Sequence, residues 1–157
     1  YVSRGTVISD FQLYKNKGKI PVYTSQTSKD GQFATVSLDY FNSLTIGIGK
    51  PDTLTWTTDG SYAGTIFKRN TSYVYSNVCG MLEIKNKSLI NIDYLKIILT
   101  NVAKNHVGSN GNNQKLMKTT MENIKIKVPS LTMQIKIVQE YEKLNKYKHK
   151  LNGMLTT

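Results

Sequence analysis

Cysteine is almost absent from the chain: Cys79 is the only one among 157 residues. No internal disulfide can therefore form, which favours a reducing, cytoplasmic location. No apolar run approaches the roughly 20 residues that a membrane-spanning helix needs. The N-terminus lacks the charged-then-apolar pattern of a signal peptide. We expect a cytoplasmic protein that does not bind membranes.

The residues that catalysis requires are also scarce. His106 and His149 are the only histidines, and neither has a second ligand at metal-binding spacing. Spacing alone would permit a nucleophilic pair of Cys79 and His106, but Cys79 lies in an apolar stretch, where a buried inert thiol is the usual outcome. Scattered aspartates disfavour a Mg²⁺-dependent nuclease; those near turn signals are Asp30, Asp39, Asp52 and Asp59. We predict no catalytic residue, no bound metal and no cofactor.

Negative charge is in short supply. Ten Asp and Glu stand against 21 Lys and Arg, which gives a formal net charge of +11. Such an excess favours a polyanionic partner, because cations that contact phosphates release condensed counterions. The alternative is an AT-rich genome, whose codons would place lysines on solvated faces without any bound polyanion.

Short runs rich in β-branched and aromatic residues dominate the first half of the chain. Gly, Asn and Asp separate these runs, which read GTVIS, KIPVYTSQT, QFATVSL, LTIGIGK, LTWTT and GTIFKR. The segment 72–85 is longer, and its apolar residues do not strictly alternate. This pattern predicts one strand that is covered on both faces.

The periodicity changes after Asn91, where apolar residues at helical spacing predict a helix capped by that asparagine. Residues 108–113 predict a polar loop, and QKLMKTTMEN predicts a short helix. IKIKVP, at 124–129, predicts a strand with one basic face. The fold class is therefore α+β: a strand-rich globular domain with a curved mixed sheet and few helices, followed by a long C-terminal coiled-coil helix.

Pro129 and Ser130 form a stop-and-cap pair before this last helix. A heptad frame fits it, with Ile137, Leu144 and Leu151 at one seam position and Tyr141, Lys148 and Leu155 at the other. The seam could pack on its own domain. A partner helix is favoured because the pattern runs nearly to the chain end with no later element to cover it. We predict a globular domain at 1–129 and a spacer or dimerisation helix at 130–157.

The polar and basic residues near turn signals suit nucleic acid. Side chains that can read base edges or phosphates are Ser25, Gln26, Thr27, Thr57, Thr58, Asn112, Asn113 and Gln114. Cations that can neutralise phosphates are Lys15, Lys17, Lys19, Lys29, Lys68, Arg69, Lys115 and Lys118. Any single one could equally be a solvated loop residue. Their repeated pairing at turns favours a DNA-binding surface.

Several segments together resemble the specificity (S) subunit of type I restriction–modification systems, in particular one target recognition domain with its trailing helix. The most specific is KVPSLTMQIKIVQEYEKL at 127–144. Its residues in matching places are Pro129, Leu131, Gln134, Ile137 and Val138. The other matching segments are RGTVIS (4–9), GKIPVYTSQT (18–27), LTWTTDGSYAGTIFKRN (54–70), SNVCGMLEIK (76–85) and YLKIILTN (94–101). Ser130 departs from the family, which often has a second proline there, and the usual segment upstream of YVSRG is absent.

The resemblance implies a module that recognises double-stranded DNA and has no catalysis of its own. Methyltransferase (M) and restriction (R) subunits would be its partners, and S-adenosylmethionine, ATP and Mg²⁺ would belong to them. A complete S subunit has two such domains joined by two antiparallel helices. The chain would then be a piece of a longer subunit, or a half-subunit that pairs with a copy of itself through its last helix.

Two other functions stay open. Similar domains are fused in single-chain methylase–nuclease enzymes, and a basic protein–protein adaptor would carry the same charge. In a recognition domain, the predicted DNA-binding residues are Lys19, Ser25, Gln26, Thr27, Lys29, Thr57, Thr58, Lys68, Arg69, Lys115 and Lys118. Trp56 is expected to anchor the core, because duplex readers rarely stack on unflipped bases.

Overall fold

The computed structural model describes residues 1–110 and 113–155. Its elements, in chain order, are β1 (Val2–Arg4), α1 (Asp10–Lys15), β2 (Ile20–Tyr23), β3 (Gln32–Val36), α2 (Leu38–Ser43), β4 (Ile48–Gly49), β5 (Thr53–Thr57), β6 (Ile66–Arg69), β7 (Tyr73–Tyr75), β8 (Cys79–Leu82), α3 (Ile92–Val102), β9 (Gly108–Asn110), β10 (Asn113–Lys115), α4 (Lys118–Asn123) and α5 (Leu131–Leu155). Short 3₁₀ turns occupy Ser28–Gly31 and Ala103–His106. The predicted α+β class, with few helices in the strand-rich part and a long last helix, is confirmed.

The strands before residue 83 form two four-stranded sheets. The first sheet is antiparallel and has the order β1-β8-β5-β6. The second has the order β3-β2-β7-β4 and is mixed, because β2 and β7 run parallel. The single strand predicted over 72–85 is wrong: the chain turns at residues 76–78, where the Cys79 amide donates to the Ser76 carbonyl at 3.0 Å. This turn carries the chain from one sheet to the other.

One face of β5 builds the main hydrophobic core. Leu54 and Trp56 are each 1% exposed and pack against Leu95, Leu99 and Leu116. The indole Nε1 of Trp56 also donates to the Leu116 carbonyl at 3.0 Å. Burying side chains of this size contributes about 2–3 kcal/mol each. The expectation that Trp56 anchors the core is confirmed.

The other face of β5 carries three buried threonines directed at the second sheet. The Thr53 hydroxyl lies 2.8 Å from the hydroxyl of Tyr73 in β7. The Thr55 hydroxyl accepts from Nε of Arg69 at 2.8 Å, and the Thr57 hydroxyl donates to a turn carbonyl. Buried hydroxyls are tolerated because each has a hydrogen-bond partner. Alternation of threonine with Leu54 and Trp56 therefore reflects one polar and one apolar buried face.

Two helices near the N-terminus were not expected from the sequence pattern. Each has six residues, too few for helical periodicity to show. Their starts are nonetheless marked by serine caps. Ser9 and Gln12 form a reciprocal capping box at α1, and the Ser37 hydroxyl accepts from the Tyr40 amide at 3.2 Å at α2. The Ser-x-x-Gln spacing at residues 9–12 is the sequence signal that indicates α1.

In the second half of the chain the predicted helices are present, but the strand predicted at 124–129 is not. The Asn91 side chain caps α3 by accepting from the amides of Asp93 and Tyr94 at 2.9 and 3.0 Å. Residues 124–129 form no strand, although Ile124 and Ile126 still pack on the core. The Tyr94 hydroxyl bonds a carbonyl of this segment, so its backbone is held by a side chain instead of a neighbouring strand. Within residues 1–110 and 113–155, no helix is long and apolar enough to span a membrane.

A fully buried glutamine fixes the start of α5. Gln134 is 0% exposed, and its Oε1 accepts from the Asn91 amide at 2.8 Å. Its Nε2 donates to the carbonyls of Leu89 and Pro129 at 2.9 and 2.7 Å. One side chain thus joins the first turn of α5 to the start of α3. Because three backbone groups of two other segments and of the helix start bond this one buried side chain, the direction in which α5 leaves the domain is set here.

We predict that Gln134→Leu lowers the free energy of unfolding by about 2–3 kcal/mol, because three part-buried backbone groups lose their hydrogen-bond partner. Urea denaturation followed by circular dichroism measures this. Gln139→Leu is the matched control: Gln139 lies on the same helix and is exposed, so we expect a change within about 0.5 kcal/mol. Equal midpoints for the two variants would contradict the assigned role of Gln134.

Candidate nucleic-acid interface

Three chain reversals meet at one end of the two sheets. The Ser76 amide donates to the Tyr23 carbonyl at 3.0 Å, which places the end of β2 beside the turn between β7 and β8. The Thr58 amide donates to the Val78 carbonyl at 3.1 Å, which brings the turn after β5 to the same place. We call the segments 24–31, 58–62 and 76–78 the loop edge. It is the surface where polar and basic side chains from distant parts of the chain come together.

The segment 24–31 has a defined and strained backbone. Lys29 and Asp30 adopt left-handed conformations with φ of 49° and 54°, and Gly31 follows with φ of 82°. For residues with a side chain this costs about 1–2 kcal/mol each. The side-chain Nε2 of Gln26 donates to the Gln32 carbonyl and closes the segment at its base. Lys29 is exposed, so the ammonium group is presented to solvent.

Arg69 holds this strained segment from inside. Its Nη1 donates to the Asp30 carbonyl at 2.7 Å, and its guanidinium carbon lies 3.4 Å from the centroid of the Tyr23 ring. The residue is 4% exposed. Burial lowers the pKa of the Arg69 guanidinium, although an arginine stays charged at physiological pH. No carboxylate of the described residues forms an ion pair with Arg69. Its charge is stabilised instead by carbonyl, hydroxyl and aromatic groups.

The predicted readers divide into half-buried and buried groups. Ser25, Gln26 and Thr27 are half-buried on the loop edge, where they could meet a ligand. Thr57 and Thr58 are 1% and 2% exposed, and their hydroxyls donate to the Tyr62 carbonyl and to Asp59. The structure therefore places these two threonines, and Arg69, inside the domain. Their side chains shape the loop edge and do not form its surface.

The predicted cations are spread over different surfaces. Lys29 and Lys115 belong to the loop edge or border it, and Lys115 forms a 3.2 Å ion pair with Asp59. Lys19 lies before β2, at the opposite end of the strand from segment 24–31, which is about 13 Å away for four residues. Lys68 pairs with Asp93 of α3 at 2.9 Å. Lys118 pairs with Glu122 within α4 at 3.4 Å.

Arg4 of β1 is a basic residue that contacts the loop edge and was not among the predicted DNA-binding residues. Its Nε donates to the Asn77 carbonyl, and its Nη2 lies 3.9 Å from Asp59. The side chain is 41% exposed. No local pattern indicates this position, because Asn77 lies 73 residues further along the chain. Asn112, one of the predicted readers, lies outside the described residues.

The groups considered for catalysis are not arranged for it. Burial raises the pKa of the Cys79 thiol to about 12, so this cysteine is not a thiolate at neutral pH. His106 is exposed at the end of its 3₁₀ turn. Among residues 1–110 and 113–155, no three His, Cys, Asp or Glu side chains lie close enough to hold a metal ion. What the loop edge offers is hydrogen-bonding groups and positive charge.

Comparison with known proteins gives a family match over nearly the whole chain. The family model described as the type I restriction modification DNA specificity domain matches residues 2–155. A putative type I specificity subunit of Mycoplasma pneumoniae is 30% identical over 154 residues, which is 98% of this chain and 40% of that protein. The type I restriction enzyme MpnII specificity subunit of the same organism is 32% identical over 146 residues, which is 91% of this chain and 41% of that protein.

Solved structures share the fold at lower identity. The S subunit of a type I restriction–modification system from M. genitalium superposes with a TM-score of 0.71 at 11% identity, covering 98% of this chain and 38% of that one. The HsdS subunit from Thermoanaerobacter tengcongensis superposes with a TM-score of 0.73 at 12% identity, covering 98% and 37%. At this identity the likeness shows the fold alone. The chain spans less than half the length of these four relatives.

The contacts of the buried Arg69 lead to a prediction, and a variant of the neighbouring Lys68 serves as its control. Arg69→Met should lower the free energy of unfolding by about 2 kcal/mol, because the Asp30 carbonyl and the Thr55 hydroxyl lose their donor. Amide hydrogen exchange in segment 24–31 should accelerate as well. Lys68→Met removes only a partly exposed ion pair, which is worth about 0–1 kcal/mol. If exchange in segment 24–31 were unchanged in Arg69→Met, the strained segment would not depend on Arg69.

Proposed function

The chain belongs to the family of type I restriction–modification DNA specificity domains, and we propose that it recognises a sequence in double-stranded DNA as part of a restriction–modification complex. The family match over residues 2–155 is the observation that carries this proposal. Methyltransferase and restriction subunits would supply the chemistry and would bind S-adenosylmethionine, ATP and Mg²⁺. Specificity-subunit relatives favour this function over a fused methylase–nuclease or an adaptor. Such a complex would act in the cytoplasm.

We propose that DNA lies along the loop edge. Lys29 would contact phosphate, because the strained backbone presents its ammonium group away from the domain. Ser25 and Thr27 lie in the same segment and offer hydroxyl groups, and Gln26, whose Nε2 bonds the Gln32 carbonyl, offers its side-chain oxygen. Arg4, which is partly exposed and bonds the turn at 76–78, adds a second cation. The net charge of +11 supplies the long-range attraction that brings a duplex to this surface.

The first test is the salt dependence of duplex binding, measured by fluorescence anisotropy with duplexes of random sequence. If roughly six phosphates are contacted, log affinity should fall against log salt with a slope of about −5. Lys29→Ala should flatten this slope by about 0.9, because one phosphate contact is lost. Lys19→Ala is the matched control, since Lys19 is also an exposed lysine and lies at the other end of β2.

The outcomes distinguish an error in the proposed DNA binding from an error in the position of the interface. A slope near zero for the native chain would remove DNA binding itself. A reduced slope in Lys19→Ala with no change in Lys29→Ala would keep DNA binding and move the interface to the opposite end of the sheet. Selection of bound sites from a random duplex pool would then identify the target.

We further propose that residues 1–129 recognise DNA and residues 130–157 pair with another helix. Beyond the turn fixed by Gln134, every residue from 141 to 151 is exposed. The seam residues Leu144 and Leu151 are 66% and 60% exposed, and Tyr141 is 37% exposed. Ile137 is half-buried beside the domain, and the side chain of Leu155 lies outside the described part. Short isolated helical segments are marginal in water, which favours a partner along this seam.

We predict that Leu144→Asp weakens association of two chains, or of this chain with a matching helix, by several kcal/mol, because it places a charge in the centre of an apolar seam. Sedimentation velocity over a concentration series measures this. Lys146→Asp introduces the same group two residues away, off the seam, and should leave association nearly unchanged. A native chain that stays monomeric with or without a matching helix would contradict the pairing.

A further inference from the structure

The strands β9 and β10 form a two-stranded antiparallel ribbon that belongs to neither sheet. The segment was predicted as a loop, so this ribbon is a departure from the sequence pattern. Gln114 lies opposite Ser109, and Lys115 lies opposite Gly108. An isolated pair of strands is marginally stable in water unless something supports it. The ribbon therefore needs contacts with the rest of the domain, and these lie at its base.

The base of the ribbon is tied to the hydrophobic core. Leu116, the next residue after β10, is 0% exposed, and its amide donates to the Thr58 carbonyl at 2.8 Å. The Leu116 carbonyl accepts from the Trp56 indole at 3.0 Å. The Gly60 amide donates to the Gln114 carbonyl at 2.9 Å. The ribbon is thus fastened to the turn after β5, which belongs to the loop edge.

An ion cluster reinforces this attachment. The Asp59 carboxylate lies 3.2 Å from Nζ of Lys115 and 3.9 Å from Nη2 of Arg4. Two cations for one carboxylate leave the base of the ribbon positive. Lys104 adds a further exposed cation and lines a shallow pocket of about 240 Å³ together with Ser61, Ser109 and Gln114. The pocket face of the ribbon is therefore both polar and basic.

Three polar side chains on the ribbon take no part in the hydrogen bonding of the described residues. Ser109, Asn113 and Gln114 are exposed, and none of their side chains forms a hydrogen bond with any described residue. Strand alternation puts Ser109 and Gln114 on one face, with Asn113 and Lys115 on the other. These hydroxyl and amide groups are therefore available to a ligand, on a backbone that is hydrogen-bonded to the domain at its base.

We propose that this ribbon enters the major groove of DNA and reads base edges through Ser109 and Gln114, while Lys104 contacts phosphate. The inference rests on the proposed DNA-recognition function and assigns the element that carries it. The major groove is wide enough for a two-stranded ribbon, and glutamine can bond both N6 and N7 of adenine. The Ser109–Gln114 face is assigned because Lys104 lies beside it, so base reading and phosphate contact occur on the same side.

The test uses the 157-residue chain and the target recovered from a random duplex pool. Gln114→Ala should reduce discrimination at one base pair on the order of 10- to 100-fold and leave the salt slope unchanged. Ser109→Ala should reduce discrimination at a neighbouring base pair. Lys104→Ala should weaken binding to all sequences and flatten the salt slope by about 0.9. Asn113→Ala, an amide on the other ribbon face, is the matched control and should keep the native preference.

A second measurement identifies the groove. Replacing purines of the target with their 7-deaza analogues removes the major-groove acceptor N7 and should weaken the native chain at the position that Gln114→Ala no longer discriminates. The Gln114→Ala variant should be insensitive to the same replacement there. Because the exposed Ser109, Asn113 and Gln114 side chains form no hydrogen bond with the described residues, urea midpoints should match the native value, which separates a binding defect from a folding defect.

The outcomes distinguish this inference from the function on which it rests. If the native chain selects a target and both Gln114→Ala and Ser109→Ala keep its preference, the ribbon assignment is wrong and DNA recognition stands. Loss of preference in Asn113→Ala alone would place the reading on the opposite face and overturn the assignment of Ser109 and Gln114. A native chain that selects no target would overturn both proposals together.

Discussion

The guanidinium of Arg69 is the point at which both sheets and the loop edge meet. It bonds Thr55 in the first sheet, lies against Tyr23 in the second and holds the carbonyl of Asp30 in segment 24–31. A lysine could not replace it, because a single ammonium group cannot make these contacts in one plane. The charge is tolerated inside the domain because carbonyl, hydroxyl and aromatic groups surround it. The same guanidinium holds the strained backbone at Lys29 and Asp30 in place through its bond to the Asp30 carbonyl.

The polar face of β5 explains why this contact can exist. The two sheets face each other through threonines and tyrosines, so the layer between them can hold a buried cation. The apolar face, with Leu54 and Trp56, packs on helices instead. One strand therefore separates a hydrophobic core from a hydrogen-bonded layer. Segment 24–31 is fastened to the polar layer, and the ribbon of β9 and β10 is fastened to the apolar core.

Local signals in the sequence predicted several helices and strands, whereas contacts between distant residues determine which of the predicted site residues are buried. Asn91 as a cap and the Pro129–Ser130 junction indicated where α3 and α5 begin, because capping depends on neighbours in the chain. The turn at 76–78 divides an apolar run that looks continuous in sequence. Burial of Thr57 and Arg69 could not be read locally, since Arg69 meets a carbonyl 39 residues away. Ser25, Gln26, Thr27 and Lys29 lie in segment 24–31, and their contact with DNA stays a prediction.

The ribbon has a consequence for how such a domain can change over generations. The exposed Ser109 and Gln114 side chains form no hydrogen bond with the described residues, whereas the attachment of the ribbon runs through backbone groups, the Lys115–Asp59 ion pair and the buried Leu116. Substitutions at Ser109 or Gln114 should therefore alter the folding free energy by no more than about 0.5 kcal/mol. Inherited substitutions at these positions would leave folding unchanged and would alter only the DNA sequence that the proposed interface prefers. A lineage could thus acquire a new target without passing through an unstable ancestor.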